Sequence, residues 1–160
     1  MSPISQKLNR LCKNLITAVA LPAVFAIVGT ATAHAGAIFT TDLDCNKING
    51  NIYADKEDVF LNGGPDGTGS ALEPLTDYCV RVESPGGTVL SATPGTVTTD
   101  ASGHIACQSL YLLTPFADTD NPGGEYKVVV CPSVGLDGAG VCIFRPDNQC
   151  KSDNFKRYRM

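Results

Sequence analysis

The cysteines are the feature that most restricts how this sequence can fold. Seven occur in the chain, and all but Cys12 lie beyond residue 44, at Cys45, Cys79, Cys107, Cys131, Cys142 and Cys150. No two of these six have the CxxC spacing typical of a structural zinc site, and His104 is the one histidine beyond residue 44. An even set of cysteines in an exported chain is typical of disulfide bonds, so we expect all six to be paired.

The first 35 residues have the organisation of a secretory signal peptide. Basic residues precede an uncharged apolar run, and the tripeptide AHA at residues 33–35 is a typical cleavage signal. The run is shorter than a membrane span requires and is interrupted by Pro22, which argues against a transmembrane anchor. We therefore predict cleavage after residue 35, a secreted or periplasmic location, and one domain over residues 36–160.

Removal of the leader makes the remaining chain strongly acidic. All 16 acidic residues lie beyond residue 35, whereas Lys7, Arg10 and Lys13 leave with the leader. An acidic chain repels phosphate backbones and anionic lipid headgroups. We therefore expect no nucleic-acid partner and no stable membrane insertion after cleavage.

Short runs rich in β-branched and aromatic residues alternate with turn clusters throughout the rest of the chain. The runs are GAIFT, KINGNIY, DVFLN, YCVRV, TVLSA, GTVTT, HIACQSLYLL, EYKVVVCP and VCIF, and KSDNFK begins a closing strand. The apolar segment IACQSLYLLTPF also fits a buried helix, but a preceding glycine and Pro115 favour a strand. The pattern predicts an all-β fold, a single antiparallel β-sandwich stabilised by disulfides.

Two of the predicted strands resemble each other and suggest a disulfide map. In YCVRV (78–82) and EYKVVVC (125–131), tyrosine and valines occupy one face, while Cys79 and Cys131 point to the opposite, outer face. Strands that pair or face each other would bring these two sulfurs together, so we predict a Cys79–Cys131 bond. A local Cys142–Cys150 bond and a long-range Cys45–Cys107 bond complete the hypothesis, one of many pairings that six cysteines allow.

Three motifs resemble those of a known group of exported proteins. LNGGP (61–65), YCVRVESPGG (78–87) and NPGGEYKVVV (121–130) are similar to segments of secreted bacterial proteins with collagen-adhesin B-type or prealbumin-like β-sandwich domains. The resemblance implies an immunoglobulin-like or prealbumin-like sandwich over roughly residues 38–155. It also implies a role as a stalk, spacer or adhesive surface outside the cell, and it supplies no catalytic residues.

The sequence offers little material for catalysis. His104 is the only imidazole beyond residue 35, and no GxSxG nucleophile motif accompanies it. The glycine-rich LNGGPDGTGS lacks the lysine followed by serine or threonine of a phosphate-binding loop. We therefore predict a chain that is not an enzyme and that uses no cofactor.

Two acidic turns are candidates for calcium. Asp118, Asp120 and Glu125 lie close together in DTDNPGGE, and Asp42, Asp44 and Asn46 begin like an EF-hand loop but lack its later ligands. A solvated acidic loop is the alternative at both turns. The leading hypothesis is thus an exported, non-enzymatic structural or adhesive module whose partner is an extracellular protein or glycan. The second is a small extracellular binding module for calcium or carbohydrate.

Overall fold

The computed structural model describes residues 36–47, 50–65, 70–145 and 149–158, which are mostly β-structure. The elements are β1 (Ile38–Thr41), β2 (Ile52–Tyr53), a 3₁₀ turn (Lys56–Asp58), β3 (Phe60–Gly63), β4 (Asp77–Glu83), β5 (Gly95–Thr98), β6 (Ile105–Ser109), α1 (Leu110–Leu113), β7 (Glu125–Leu136), β8 (Cys142–Phe144) and β9 (Lys151–Arg157). The all-β prediction is confirmed. The predicted signal peptide lies outside the described residues, and within them no helix is long and apolar enough to cross a bilayer.

Two sheets enclose one core. A three-stranded sheet has the order β1-β3-β6, and a second sheet has the order β2-β9-β7-β4-β5, with β8 paired to the far end of β7. Every pairing among the described strands is antiparallel except that of β2 with β9, which is parallel, so the prediction of a purely antiparallel arrangement is wrong at this edge. Along one side, the Thr40 amide and hydroxyl donate hydrogen bonds of 2.7 and 2.9 Å to Asp153 Oδ2, which joins β1 to β9. The sheets therefore curl towards each other like part of a barrel.

The two strands with similar sequences are neighbours at the centre of the larger sheet. β4 and β7 run antiparallel, with Val80 opposite Val130 and Val82 opposite Val128. All four valines are fully buried and belong to the core cluster. Aromatic rings extend this core beside the valines: the Tyr126 and Phe155 rings stack with centroids 5.1 Å apart. The period-two alternation of apolar residues is thus explained by the face that these strands turn towards the core.

The apolar segment after His104 is a strand that changes into a helical turn. β6 ends at Ser109, whose Oγ accepts a hydrogen bond of 3.3 Å from the Leu112 amide and so caps α1. Leu110 is fully buried, whereas Leu112 is 84% exposed. The prediction of one continuous strand is therefore wrong, because a hydroxyl in the right position stabilises the first turn of α1.

The described residues contain three disulfides, and one of the three predicted pairs is correct. Cys45–Cys107 is confirmed, with Cα atoms 6.2 Å apart. The other two bonds are Cys79–Cys142, with Cα atoms 5.5 Å apart, and Cys131–Cys150, with Cα atoms 4.1 Å apart. The predicted Cys79–Cys131 and Cys142–Cys150 bonds are therefore wrong.

The reason for this error lies in what covers the outer face of β4 and β7. Cys79 and Cys131 lie on the same face, as the alternation predicts, and the strand register sets them directly opposite each other. However, β8 folds back over this face, where the Phe144 ring lies 4.5 Å from the Arg81 guanidinium, and it brings Cys142 to Cys79. Cys150 comes to Cys131 because β9 pairs with the other edge of β7. The outer face is consequently closed to solvent here, and Cys79 is fully buried.

Candidate functional site

An open groove of about 560 Å³ lies where β7 begins and β9 ends. We call it the end groove. Its lining consists of Asn51, Ile52, Pro85, Glu125, Tyr126, Lys127, Asn154, Phe155 and Lys156. These residues come from β2, from the turn after β4, and from β7 and β9, so the groove exists only because the sheet order brings four distant segments together.

One wall of the end groove is a tight turn after β4. The Gly87 amide donates to the Ser84 carbonyl at 2.9 Å, and the Ser84 amide donates to the Thr88 carbonyl at 2.8 Å. Gly87 has a φ of 87°, a conformation that glycine adopts without steric strain. The turn therefore holds Pro85 over the groove by backbone bonds that the SPGG sequence favours.

Charged side chains form paired rows across the strands beneath the groove. Glu83 lies opposite Lys127, and Glu125 lies opposite Lys156. Glu83 accepts from Arg81 Nε and from Lys127 Nζ, both at 2.7 Å, although its side chain is only 6% exposed. Burial raises the pKa of Glu83, but hydrogen bonds from Lys127 and Arg81 outweigh it and hold the pKa below its usual value. The charges of this row are therefore largely satisfied within the sheet.

Two amide side chains in the groove have no such partner. Asn51 and Asn154 are both exposed, and in the described structure their side chains form no hydrogen bond. Each amide offers both donors and an acceptor to a ligand. Ile52, which is 48% exposed, and Pro85 supply apolar surface beside them. This combination suits an uncharged ligand with several hydroxyl groups better than it suits an ion.

The acidic turn at residues 118–125 does not assemble a cation site. Asp118 forms ion pairs with Lys56 Nζ at 2.7 Å and with Arg157 at 3.1 Å. The hydrogen bond from Lys56 lowers the pKa of Asp118. Glu125 is paired with Lys156 at 2.7 Å instead. Two of the three predicted ligands are therefore neutralised by cations, and the third, Asp120, is exposed.

The second acidic turn is closed by its own backbone. The Cys45 amide donates to the Asp42 carbonyl at 3.0 Å, and Asp44 and Asn46 are exposed on the outside of this turn. Across the described ranges, no group of three or more histidine, cysteine or acidic side chains is arranged to hold a metal ion. The glycine-rich segment 61–70 is described only in part, since residues 66–69 lie outside the described ranges.

The His104 ring lies between an amide and a carboxylate. Its Nε2 lies 3.0 Å from Asn62 Oδ1, which can only accept a hydrogen bond, and its Nδ1 lies 3.7 Å from Asp100 Oδ2. Ser102 donates its hydroxyl to Asp100 rather than to the imidazole. Hydrogen bonds from Ser102 Oγ and from the His104 amide lower the pKa of Asp100 to about 2. This arrangement is a capped turn whose carboxylate accepts three hydrogen bonds.

Sequence reasoning missed the end groove. No motif marks it, but one signal was present: Glu83 and Lys127 lie on the outer face of the two similar strands, where opposite charges on adjacent strands predict a pair.

Comparison of the chain with protein-family models, with curated proteins and with solved structures finds no match. The resemblance to collagen-adhesin B-type or prealbumin-like domains stays a prediction from the motifs.

Proposed function

We propose that this chain is an exported, non-enzymatic adhesive module that presents the end groove to an extracellular glycan. The observation that carries this proposal is the pair of exposed amides, Asn51 and Asn154, which flank apolar surface while the neighbouring charges are already paired. Amide groups of this kind form hydrogen bonds with sugar hydroxyls at both their donor and acceptor atoms. A sandwich of the immunoglobulin-like or prealbumin-like type is part of the same proposal.

The three disulfides support the exported part of the proposal. Disulfides persist on the oxidising side of a membrane and are rare in the cytosol, which favours a secreted or periplasmic protein. They also support a role that needs rigidity, because the strands that carry the end groove are tied to the rest of the sheet. A pre-ordered groove loses less conformational entropy when a ligand binds.

Calcium is the less favoured ligand of the two small-ligand classes. A calcium ion takes six to eight oxygen ligands, many of them carboxylates. Here the carboxylates of Asp118, Glu83 and Glu125 are held by lysine and arginine side chains. A calcium ion would have to displace those cations, whereas a neutral glycan would leave them in place.

A glycan array followed by titration calorimetry tests the proposal. The disulfide-intact protein should bind a defined glycan, and Asn154→Ala should weaken that binding about tenfold through loss of one or two hydrogen bonds. Asn46→Ala is the matched control, because Asn46 is also exposed but does not line the groove. The proposal fails if the protein binds no glycan, or if the two variants weaken binding equally.

A further inference from the structure

Four of the six cysteines form one group on the outer face of the larger sheet. Cys79 in β4 and Cys131 in β7 are opposite each other in the ladder, so their side chains project on the same side. On the other edge of β7, Val130 pairs with Lys151 of β9. The next residue of each strand continues this antiparallel register, so Cys150 lies opposite Cys131. Cys131 therefore lies between two cysteines. It is bonded to Cys150 on one side, and Cys79 on the other side is bonded to Cys142.

The strand geometry allows a bond between Cys79 and Cys131 without movement of the backbone. The Cys131–Cys150 Cα distance of 4.1 Å is that of a closely spaced, non-hydrogen-bonded pair. Because a residue directs its amide and carbonyl to one side only, Cys131 must form a hydrogen-bonded pair with Cys79, with Cα atoms about 5.5 Å apart. That spacing falls within the range in which disulfides form.

The two disulfides of this group differ in access to solvent. Cys150 is exposed, whereas Cys79, Cys131 and Cys142 are each at most 4% exposed. Thiol–disulfide exchange requires a thiolate to reach a sulfur atom directly, so access decides which sulfur is attacked. An external thiolate therefore reaches Cys150 before it reaches the Cys79–Cys142 bond.

We propose that these four cysteines form a thiol–disulfide exchange site whose substrate is an external dithiol. One thiolate of the dithiol attacks Cys150 Sγ, forms a mixed disulfide with it and releases Cys131 as a thiolate. The Cys131 thiolate attacks Cys79 Sγ, which forms the Cys79–Cys131 bond, breaks the Cys79–Cys142 bond and releases Cys142 as a thiolate that takes up a proton.

The second thiol of the dithiol completes the reaction. As a thiolate it attacks its own sulfur in the mixed disulfide and releases Cys150, whose thiolate is protonated. The dithiol is oxidised to a disulfide, and the protein gains the two electrons as the thiols of Cys142 and Cys150. The covalent tie between β8 and the sheet is lost, while β4 and β7 become bonded directly.

Limited reduction of the folded protein with dithiothreitol, followed by acid quenching, alkylation and non-reducing peptide mapping, tests this sequence of steps. The expected early product contains a Cys79–Cys131 peptide and carries alkyl groups on Cys142 and Cys150. A product that retains Cys79–Cys142 and is alkylated on Cys131 and Cys150 would show simple reduction without exchange, and would overturn the proposal.

Two variants test the exchange step separately from the first attack by the reductant. In Cys150→Ser, the Cys131 thiol should exchange spontaneously, so that alkylation labels Cys142 and the Cys79–Cys131 peptide forms without dithiothreitol. Label on Cys131 alone, with Cys79–Cys142 intact, would refute the exchange. In the double variant Cys131→Ser/Cys150→Ser, the attacking sulfur is absent, so labelling of Cys142 in dithiothreitol should be at least about tenfold slower than in the unaltered protein. An unchanged rate would also refute it.

Discussion

Replacement of Glu83 by glutamine should destabilise the fold in a pH-dependent way. The Glu83 carboxylate accepts hydrogen bonds of 2.7 Å from Arg81 and from Lys127, and the Glu83 side chain is 6% exposed. A hydrogen bond to a charged group contributes about 1.5 to 3 kcal/mol to stability. The two cations are 31% and 29% exposed and regain part of their hydration when the carboxylate is lost. We therefore expect Glu83→Gln to lower the free energy of unfolding by about 2 kcal/mol at neutral pH.

The pH dependence follows from the lowered pKa of Glu83. A carboxyl group with a folded-state pKa below its usual value of 4.5 stabilises the fold above that value, and this contribution is lost as the pH falls through the folded-state pKa. The unaltered protein should lose this stability in acid, whereas Glu83→Gln has none to lose. The difference in the free energy of unfolding between the two proteins should therefore be largest at neutral pH and should become smaller below about pH 4.

Urea denaturation followed by tyrosine fluorescence and circular dichroism measures both effects, since the chain has five tyrosines and no tryptophan. Glu73→Gln is the matched control, because Glu73 is exposed in the segment before β4 and forms no ion pair in the described structure. Its effect should stay within about 0.5 kcal/mol. A loss at Glu83 that is the same at neutral and acidic pH would refute the ion-pair explanation.

Three further results are expected. The double variant Cys45→Ser/Cys107→Ser removes the bond that closes a loop of 62 residues. On the chain-entropy model it should lower the free energy of unfolding by about 4 kcal/mol, measured by urea denaturation. A loss under about 1 kcal/mol would contradict that model. Gly103→Ala should lower the free energy of unfolding by about 3 kcal/mol, because Gly103 has a φ of 78° and its new Cβ would collide with the Leu72 carbonyl. Thermal unfolding measures the effect, and an unfolding temperature equal to that of the unaltered protein would contradict the prediction. Added calcium at millimolar concentration should leave the unfolding temperature unchanged, because Lys56 and Arg157 already neutralise Asp118; a clear rise would contradict this account of the turn.

The strands were predictable where apolar residues that face the core alternate with residues of another kind. Alternation identified β4 and β7 because Tyr78, Val80 and Val82 all face the core, and it also placed Cys79 and Cys131 on the face away from the core. It could not identify the helical turn α1, since a four-residue helix is too short to show a helical period and depends on the Ser109 cap.

The disulfide partners and the groove depend on tertiary structure that local patterns do not contain. Alternation gives the face on which a cysteine lies but not which segment covers that face, so the approach of β8 to Cys79 could not be inferred. The end groove likewise joins Asn51, Pro85 and Asn154 from segments far apart in the chain. Only the sheet order, with β9 between β2 and β7, brings these segments together.

The position of β9 also has a consequence for how the chain acquires its structure in time. β9 is the last described strand along the chain, yet it lies inside the larger sheet, and among the described strands only β9 pairs with β2. Contacts between distant segments form slowly, because the intervening loop must close before they contribute stability. During synthesis from the N-terminus, β2 therefore cannot pair with β9 until residue 157 has left the ribosome. We expect a late folding step in which β9 docks on β7, β2 adds in parallel, and the ladder that bears the groove is completed.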